Sequence, residues 1–174
     1  DLPMVAALAE ATADGAPLVW PQASGNVCAE ALHGDAAASD AAFRAAAHVV
    51  KLDLVNQRLA PTPMEPRGVL ASVDAASGRL ELRMSSQMPA GARNTLCDEV
   101  LGIPKESVRV VVGDVGGGFG MKTGLYPEDI VVAWAALKLK RPIKWTAERS
   151  DEFLAAVHGR DIVSHAELAL DAGG

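Results

Sequence analysis

VRVVVGDVGGGFGMKTGLYPED, Val108 to Asp129, joins an apolar β-branched run to a glycine-rich turn and then to a helix start. A Val-rich run of this kind reads as a strand buried on both faces. Gly116, Gly117, Gly118 and Gly120 can take positive φ and carry no Cβ, so consecutive N–H groups can form a concavity for an anion or a polar ligand edge. Phe119 sits among them and is expected to point outward, an aromatic face beside a rim of amide donors. A strained loop that merely closes a strand-to-helix connection fits the same residues. Beyond it, Pro127-Glu128-Asp129 opens a helix with a favoured Pro and two acids at the positive end of the dipole.

Upstream, Leu59 to Arg67 (LAPTPMEPR) holds three prolines and cannot run through a sheet interior, which fixes Met64, Glu65 and Arg67 in an extended loop. A hairpin follows: Val69 to Asp74, a turn at Ala75 to Gly78, and Arg79 to Ser85, with Leu80, Leu82 and Met84 facing in and Arg79, Glu81 and Arg83 facing out. Gln87 then stands at a strand-to-helix junction, before a helix begun by Pro89, striped by Ala92, Leu96, Cys97, Val100 and Leu101, and stopped by Gly102 and Pro104. Further back, Ser39-Asp40 can cap a short helix through Ala47, and a strand begins at His48 with Val50, Leu52 and Leu54 alternating with Lys51 and Asp53.

Downstream, Ile130, Trp134 and Leu137 are expected to be the buried stripe of a helix that ends at Pro142. Ile143 to Thr146 reads as a short strand, Ser150 as the cap of a brief helix to Val157, and Ile162 to Leu170 as a last strand. The fold class is α+β: a mixed sheet with a β-hairpin and helices packed on it. Residues 1–34 are rich in turn signals and read as a linker or tail from a preceding domain. The chain opens at Asp1 without a basic or apolar leader, and Asp171 to Gly174 reads as a turn toward a further strand, so a piece of a longer polypeptide is expected.

With 174 residues, 49% hydrophobic and 22% charged, the chain has the composition of a globular protein with one good core. The longest apolar run, Ile130 to Leu137, is far below the ~18 residues of a membrane-spanning helix. A net charge of −6 argues against a nucleic-acid partner, and the one basic stretch, Lys138 to Lys144, reads as a helix C-terminus offsetting its dipole. Cys28 and Cys97 lie far apart without zinc spacing and read as reduced, buried thiols of a cytoplasmic protein.

No self-contained catalytic or metal-ligating set emerges. His33, His48, His158 and His165 are scattered, no Ser or Cys has a base partner, and Glu65, Glu128, Asp129 and Glu148 are accounted for by helix dipoles or surface. Chemistry supplied by a cofactor, with the protein orienting it, would produce this pattern. Gly116 to Thr123, GGGFGMKT, also approaches the phosphate-binding pattern G-x-x-x-x-G-K-T, with the Gly directly before Lys122 replaced by Met121. Gly124 and Pro127 delay the helix that such a loop needs.

GGGFGMK after VRVVVGDV, SSQMP upstream of it, MEPR before that, and KRPIKW, ER and HGRD downstream together resemble the molybdenum hydroxylase large subunit, the family of xanthine dehydrogenase, aldehyde oxidase and carbon monoxide dehydrogenase. The resemblance implies that residues 35–174 are the N-terminal part of a molybdopterin-binding domain, truncated at the C-terminus. It implies an oxidoreductase, inactive as this fragment, that hydroxylates an aldehyde, an N-heterocycle or a related small molecule with water, or oxidises carbon monoxide. The cofactor implied is molybdenum-molybdopterin, in the cytosine dinucleotide form if the source is bacterial, with FAD and 2Fe-2S centres on partner subunits or domains. Gln87 takes the place of the family's Gln that hydrogen-bonds a metal oxygen ligand, and Gly117, Gly118, Phe119 and Gly120 that of its cofactor-packing loop. The family's general-base Glu falls outside this chain. Purine-oxidising members carry Glu just after the loop Lys, where this chain has Thr123, so a purine pocket is not expected. A cofactor-free binding or assembly module of the same fold is the alternative from a different class.

Overall fold

The computed structural model describes residues 4–174; residues 1–3, the start of the expected tail, lie outside them. It divides into two compact units, one running to Gln57 and resuming over Arg160–Gly174, the other Arg58–Gly159.

In the first unit a single helical turn, α1 (Leu8–Ala11), is followed by turns and bends that Asn26 ties together. Its Nδ2 donates to the Ala11 and Pro17 carbonyls at 2.8 and 3.0 Å, and its Oδ1 accepts from the Val19 N–H. Helix α2 (Ala36–Ala45) starts earlier than expected, because Asp35 rather than Ser39 caps it: Asp35 Oδ1 accepts from the Ala38 N–H at 2.9 Å. Strands β1 (His48–Asn56) and β6 (Ile162–Leu170) pair antiparallel over their full length. The register places Lys51 opposite Glu167 and Asp53 opposite His165, oppositely charged or hydrogen-bonded pairs that favour it over a slipped one.

The second unit is built on a four-stranded mixed sheet in the order β4-β3-β2-β5. Strands β2 (Gly68–Val73) and β3 (Leu80–Met84) form the expected hairpin, with Ser77 N–H and Oγ both donating to Asp74 Oδ1 in its turn. Strand β5 (Ile143–Thr146) joins β2 antiparallel, and β4 (Val108–Val111) joins β3 parallel. Val69, Ala71, Leu80, Leu82, Met84 and Val108 share one face, packed with Ala92, Leu96 and Cys97 and with Val132, Ala133 and Ala136. Burying each such Leu contributes about 1.5–3 kcal/mol. The other face carries Glu81, Arg83 and Arg109, so the hairpin alternation holds as read.

Four local expectations are corrected, the first at the cysteines: Cys97 is buried but Cys28 is exposed. Strand β4 is not buried on both faces: it is a sheet edge among the described residues, with Val108 buried and Arg109 exposed beside Glu81 at 3.5 Å. Helix α4 (Pro127–Leu139) packs Ile130 and Leu137 against the core as expected, but its most buried residues are Val132, Ala133 and Ala136, and Trp134 lies half exposed under Lys138 Nζ. Small residues win the contact face because they let the helix axis approach the sheet, and the wide indole is left at the margin. Helix α5 (Arg149–Ala155) is capped by Glu148 rather than Ser150, with Asp151 Oδ2 accepting the Glu148 N–H. Helix α3 (Pro89–Thr95) widens into a π-helical turn, Leu96–Leu101, before Gly102 ends it at φ 61°.

Candidate functional site

Strand direction brings the chemistry to one end of this sheet. Because β3 and β4 run parallel, the chain leaves both at the same end, β3 into Ser85-Ser86-Gln87 and β4 into the glycine turn. Because β2 runs antiparallel to β3 and to β5, its start at Gly68, preceded by Met64 to Arg67, and the end of β5 at Thr146 lie there too. Ligands of open sheets bind beyond the carboxyl ends of parallel strands.

Gln87 and the glycine turn meet directly. Gln87 Oε1 accepts from the N–H groups of Gly120 and Lys122 at 3.1 and 3.2 Å, and the Gln87 N–H donates to the Lys122 carbonyl at 2.8 Å. Two donors on Oε1 fix which way the amide faces. Its Nε2 is therefore turned away from the turn and has no partner among the described residues. Gly118 is buried beneath this carboxamide: a Cβ there would lie 2.4 Å from Gln87 Oε1.

Phe119 points outward as expected and is 75% exposed, at a φ of 51° that non-glycine residues seldom adopt. The amide rim is smaller than the sequence suggested. Gly116 and Gly120 spend their N–H groups on Glu65 and Gln87, leaving those of Gly117, Gly118 and Phe119 without an acceptor among the described residues. Gly120, at φ 89°, has open space where a side chain would project.

Behind the turn lies a cluster that sequence reasoning missed. Lys122 is 2% exposed, and its Nζ donates to the Glu65 carbonyl, Glu65 Oε2 and Ser85 Oγ at 2.8, 3.0 and 2.9 Å. Glu65 Oε2 also accepts from Ser85 Oγ and the Gly116 N–H, both at 2.7 Å. Burial by itself would raise the Glu65 pKa, but the hydrogen bonds from Ser85, Lys122 and Gly116 and the ammonium charge outweigh it and hold the carboxyl below its ordinary range. The signal available in sequence was a Lys inside an otherwise apolar and glycine run, paired with a proline-frozen Glu.

The same cluster removes the phosphate-loop reading. All three Lys122 protons are committed to protein oxygens, and the turn leads into a short 3-10 segment, Met121–Thr123, not a helix aimed at a phosphate.

A second buried group supports the Met64 to Arg67 loop. Arg67 lies 3.7 Å over the Tyr126 ring, with Nε donating to Glu152 Oε1 at 3.0 Å and Nη1 to Glu128 Oε2 at 3.4 Å. Tyr126 Oη donates to the Met121 carbonyl at 2.7 Å, which ties this group to the exit of the glycine turn. Asp129 is buried, and desolvation pushes its carboxyl up against the opposing pull of the Tyr126 N–H and Arg67.

Comparison with known proteins follows the same residues. The family described as "Molybdopterin cofactor-binding domain" matches residues 19–174. Over 135 residues, 78% of this chain, it is 38% identical to the 6-hydroxypseudooxynicotine dehydrogenase complex subunit gamma of Paenarthrobacter nicotinovorans. Over 136 residues it is 38% identical to the carbon monoxide dehydrogenase large chain of Hydrogenophaga pseudoflava. The chain spans 17% of the length of each. Among solved structures, reconstituted CO dehydrogenase from Oligotropha carboxidovorans superposes with a TM-score of 0.74 at 32% identity, over 81% of this chain and 17% of that one.

Proposed function

The chain belongs to the molybdopterin cofactor-binding domain family, and from that premise we propose that residues 35–174 form the N-terminal part of the cofactor-binding domain in the large subunit of a molybdenum hydroxylase. The observation that carries the reading is the unsatisfied front of the glycine turn. Gln87 Nε2 and the N–H groups of Gly117, Gly118 and Phe119 are donors without acceptors among the described residues, beside an exposed aromatic ring. Such donors fit a group rich in oxygen and sulfur, and the open space at Gly120 leaves room for it.

When bound, the molybdenum cofactor supplies the oxygen transfer from water and the two-electron redox change. The protein's residues orient it. Gln87, locked by Gly120 and Lys122, would offer its Nε2 donors to an oxygen of the bound cofactor without having to reorganise, and the amides of Gly117 to Phe119 would add fixed dipoles for negative charge. The exposed Phe119 ring would offer the cofactor an apolar surface beside these donors. Aldehydes, N-heterocycles or carbon monoxide are the proposed substrates. Thr123 Oγ1 is folded back onto the Gly120 carbonyl at 3.0 Å, so the position after Lys122 carries no acid for a purine. The rest of the subunit, FAD-binding and 2Fe-2S partners, a cytosine dinucleotide form of the cofactor and a cytoplasmic location complete the proposal. The helices of the described residues are none of them long and apolar enough to cross a membrane.

Molybdenum and pterin analysis of the full-length protein, with turnover of Gln87→Ala and Phe119→Ala, tests this. Stoichiometric cofactor and reduced turnover in both variants are expected. A protein that folds without molybdenum or pterin would instead be an assembly module of the same fold, and undiminished turnover in both variants would overturn the site.

A further inference from the structure

We propose that Lys122, Glu65 and Ser85 form a latch that sets the position of the glycine turn and of Gln87, making them positioning residues for the cofactor without touching it; this rests on the functional reading above. Proton accounting closes without a gap. Lys122 Nζ gives its three protons to three oxygens, one of them Ser85 Oγ, and Ser85 passes its own proton to Glu65 Oε2. Each hydroxyl and amine thus has one arrangement, and the network specifies one geometry.

Through its backbone the same lysine reaches the other side of the turn. The Lys122 N–H donates to Gln87 Oε1, and its carbonyl accepts from the Gln87 N–H and from Ser86 Oγ. Glu65 grips the start of the turn twice, its Oε2 accepting the Gly116 N–H and its own N–H donating to the Gly116 carbonyl at 3.1 Å. A Cβ on Gly116 would stand 2.5 Å from Glu65 Cβ, so glycine is required there for the grip and not for ligand access. Start and end of the turn, and the carboxamide beside it, are therefore coupled through a single residue whose side chain is shielded from solvent.

Burial of an ammonium is costly unless its partners are in place. Lys122 replaced by a neutral chain leaves Glu65 free to turn toward solvent, where 39% of its side chain already lies. Gly116 then loses its anchor, and the free amides of Gly117 to Phe119 lose their common direction. Glu65→Gln presents an amide that can accept fewer of the same donors, with the same consequence in milder form.

The test uses the full-length, cofactor-loaded protein as wild type, Lys122→Met, Glu65→Gln, Gln87→Ala and Leu96→Ala. Molybdenum and pterin stoichiometry, melting temperature and the Mo(V) electron paramagnetic resonance spectrum are measured. Residues behind a metal site typically change affinity or activity about 10- to 100-fold, so Lys122→Met is expected to lose about tenfold or more in bound molybdenum. Glu65→Gln keeps its fold and shifts the Mo(V) spectrum in the same sense as Gln87→Ala. Leu96→Ala lowers the melting temperature with the spectrum unmoved, separating displacement of the turn from loss of stability. Should Lys122→Met fail to fold, Glu65→Gln decides. A wild-type spectrum and full molybdenum in Glu65→Gln, with Gln87→Ala shifted, overturns the latch alone; wild-type spectra in both overturn the functional reading with it.

Discussion

The front and the back of the glycine turn reverse the ordinary placement of residues. Behind it a lysine is 2% exposed, and in front of it a phenylalanine is 75% exposed. At the back the donors of Lys122 Nζ, Ser85 Oγ and the Gly116 and Glu65 N–H groups all have acceptors within 3.1 Å, whereas at the front four N–H-bearing groups and a ring face outward with no acceptor among the described residues. A finished back and an unfinished front are what a loop needs if it is rigid before its ligand arrives. The difference teaches that glycine is used here for two purposes. Gly116 and Gly118 make room for Glu65 and Gln87, while Gly117 and Gly120 supply positive φ.

If this division is right, substitutions at the back should cost stability together with cofactor, and substitutions at the front should cost cofactor function with little loss of stability. Lys122→Met should give the largest loss of stability, about 2–3 kcal/mol, below the figure for breaking a fully buried ion pair because Glu65 is partly solvated; thermal unfolding of the full-length protein checks it. Glu65→Gln should cost about 1–2 kcal/mol at neutral pH. The Glu65 pKa is lowered in the folded state, so its stabilisation is present above the ordinary carboxylate pKa and lost as pH falls through the folded value. Wild type and Glu65→Gln should accordingly differ in melting temperature near neutrality and converge in acid, and a gap that stays constant down to the folded pKa and below would break the assignment.

Gly118→Ala should cost only about 1 kcal/mol, because the clashing Gln87 side chain can swing away, but that swing releases the Gly120 and Lys122 N–H groups. Cofactor content should fall by more than stability does, as metal analysis beside a melting curve would show. Phe119→Ala should shift stability least, within about 0.5 kcal/mol, since most of the ring is already in solvent. Its turnover should nevertheless drop. A melting shift for Phe119→Ala as large as that of Lys122→Met would mean the front is packed like the back, and the comparison would fail.

Much of this was legible from residues alone. The hairpin alternation at Leu80, Leu82 and Met84, the strand at Ile143 to Thr146 and the bounds of Ile162 to Leu170 came through because period-two patterns and proline stops are local. The caps at Asp35 and Glu148 were missed because several neighbouring acids and hydroxyls could serve, and backbone φ/ψ chooses among them. The inward face of α4 was read in part: Ile130 and Leu137 pack against the core, but Trp134 was placed there because bulk was taken for burial, where close approach to β2 selects Ala133 and Ala136. For the site, glycines and an exposed Phe119 were readable, and Gln87 gained its role from family resemblance. Lys122 and Glu65 each stood out in their own stretch, but their pairing was not readable, since 57 residues separate them and only the shared end of four strands brings them together.

The most direct measurement is a crystal structure of the full-length, cofactor-loaded protein, read for the distance from Gln87 Nε2 to the nearest oxygen ligand of the metal. The account predicts a hydrogen bond of about 2.7–3.2 Å, with Gln87 Oε1 still on the Gly120 and Lys122 amides. A molybdenum centre with its oxygen ligands beyond hydrogen-bond reach of Gln87 and of the Gly117 to Phe119 amides would contradict it.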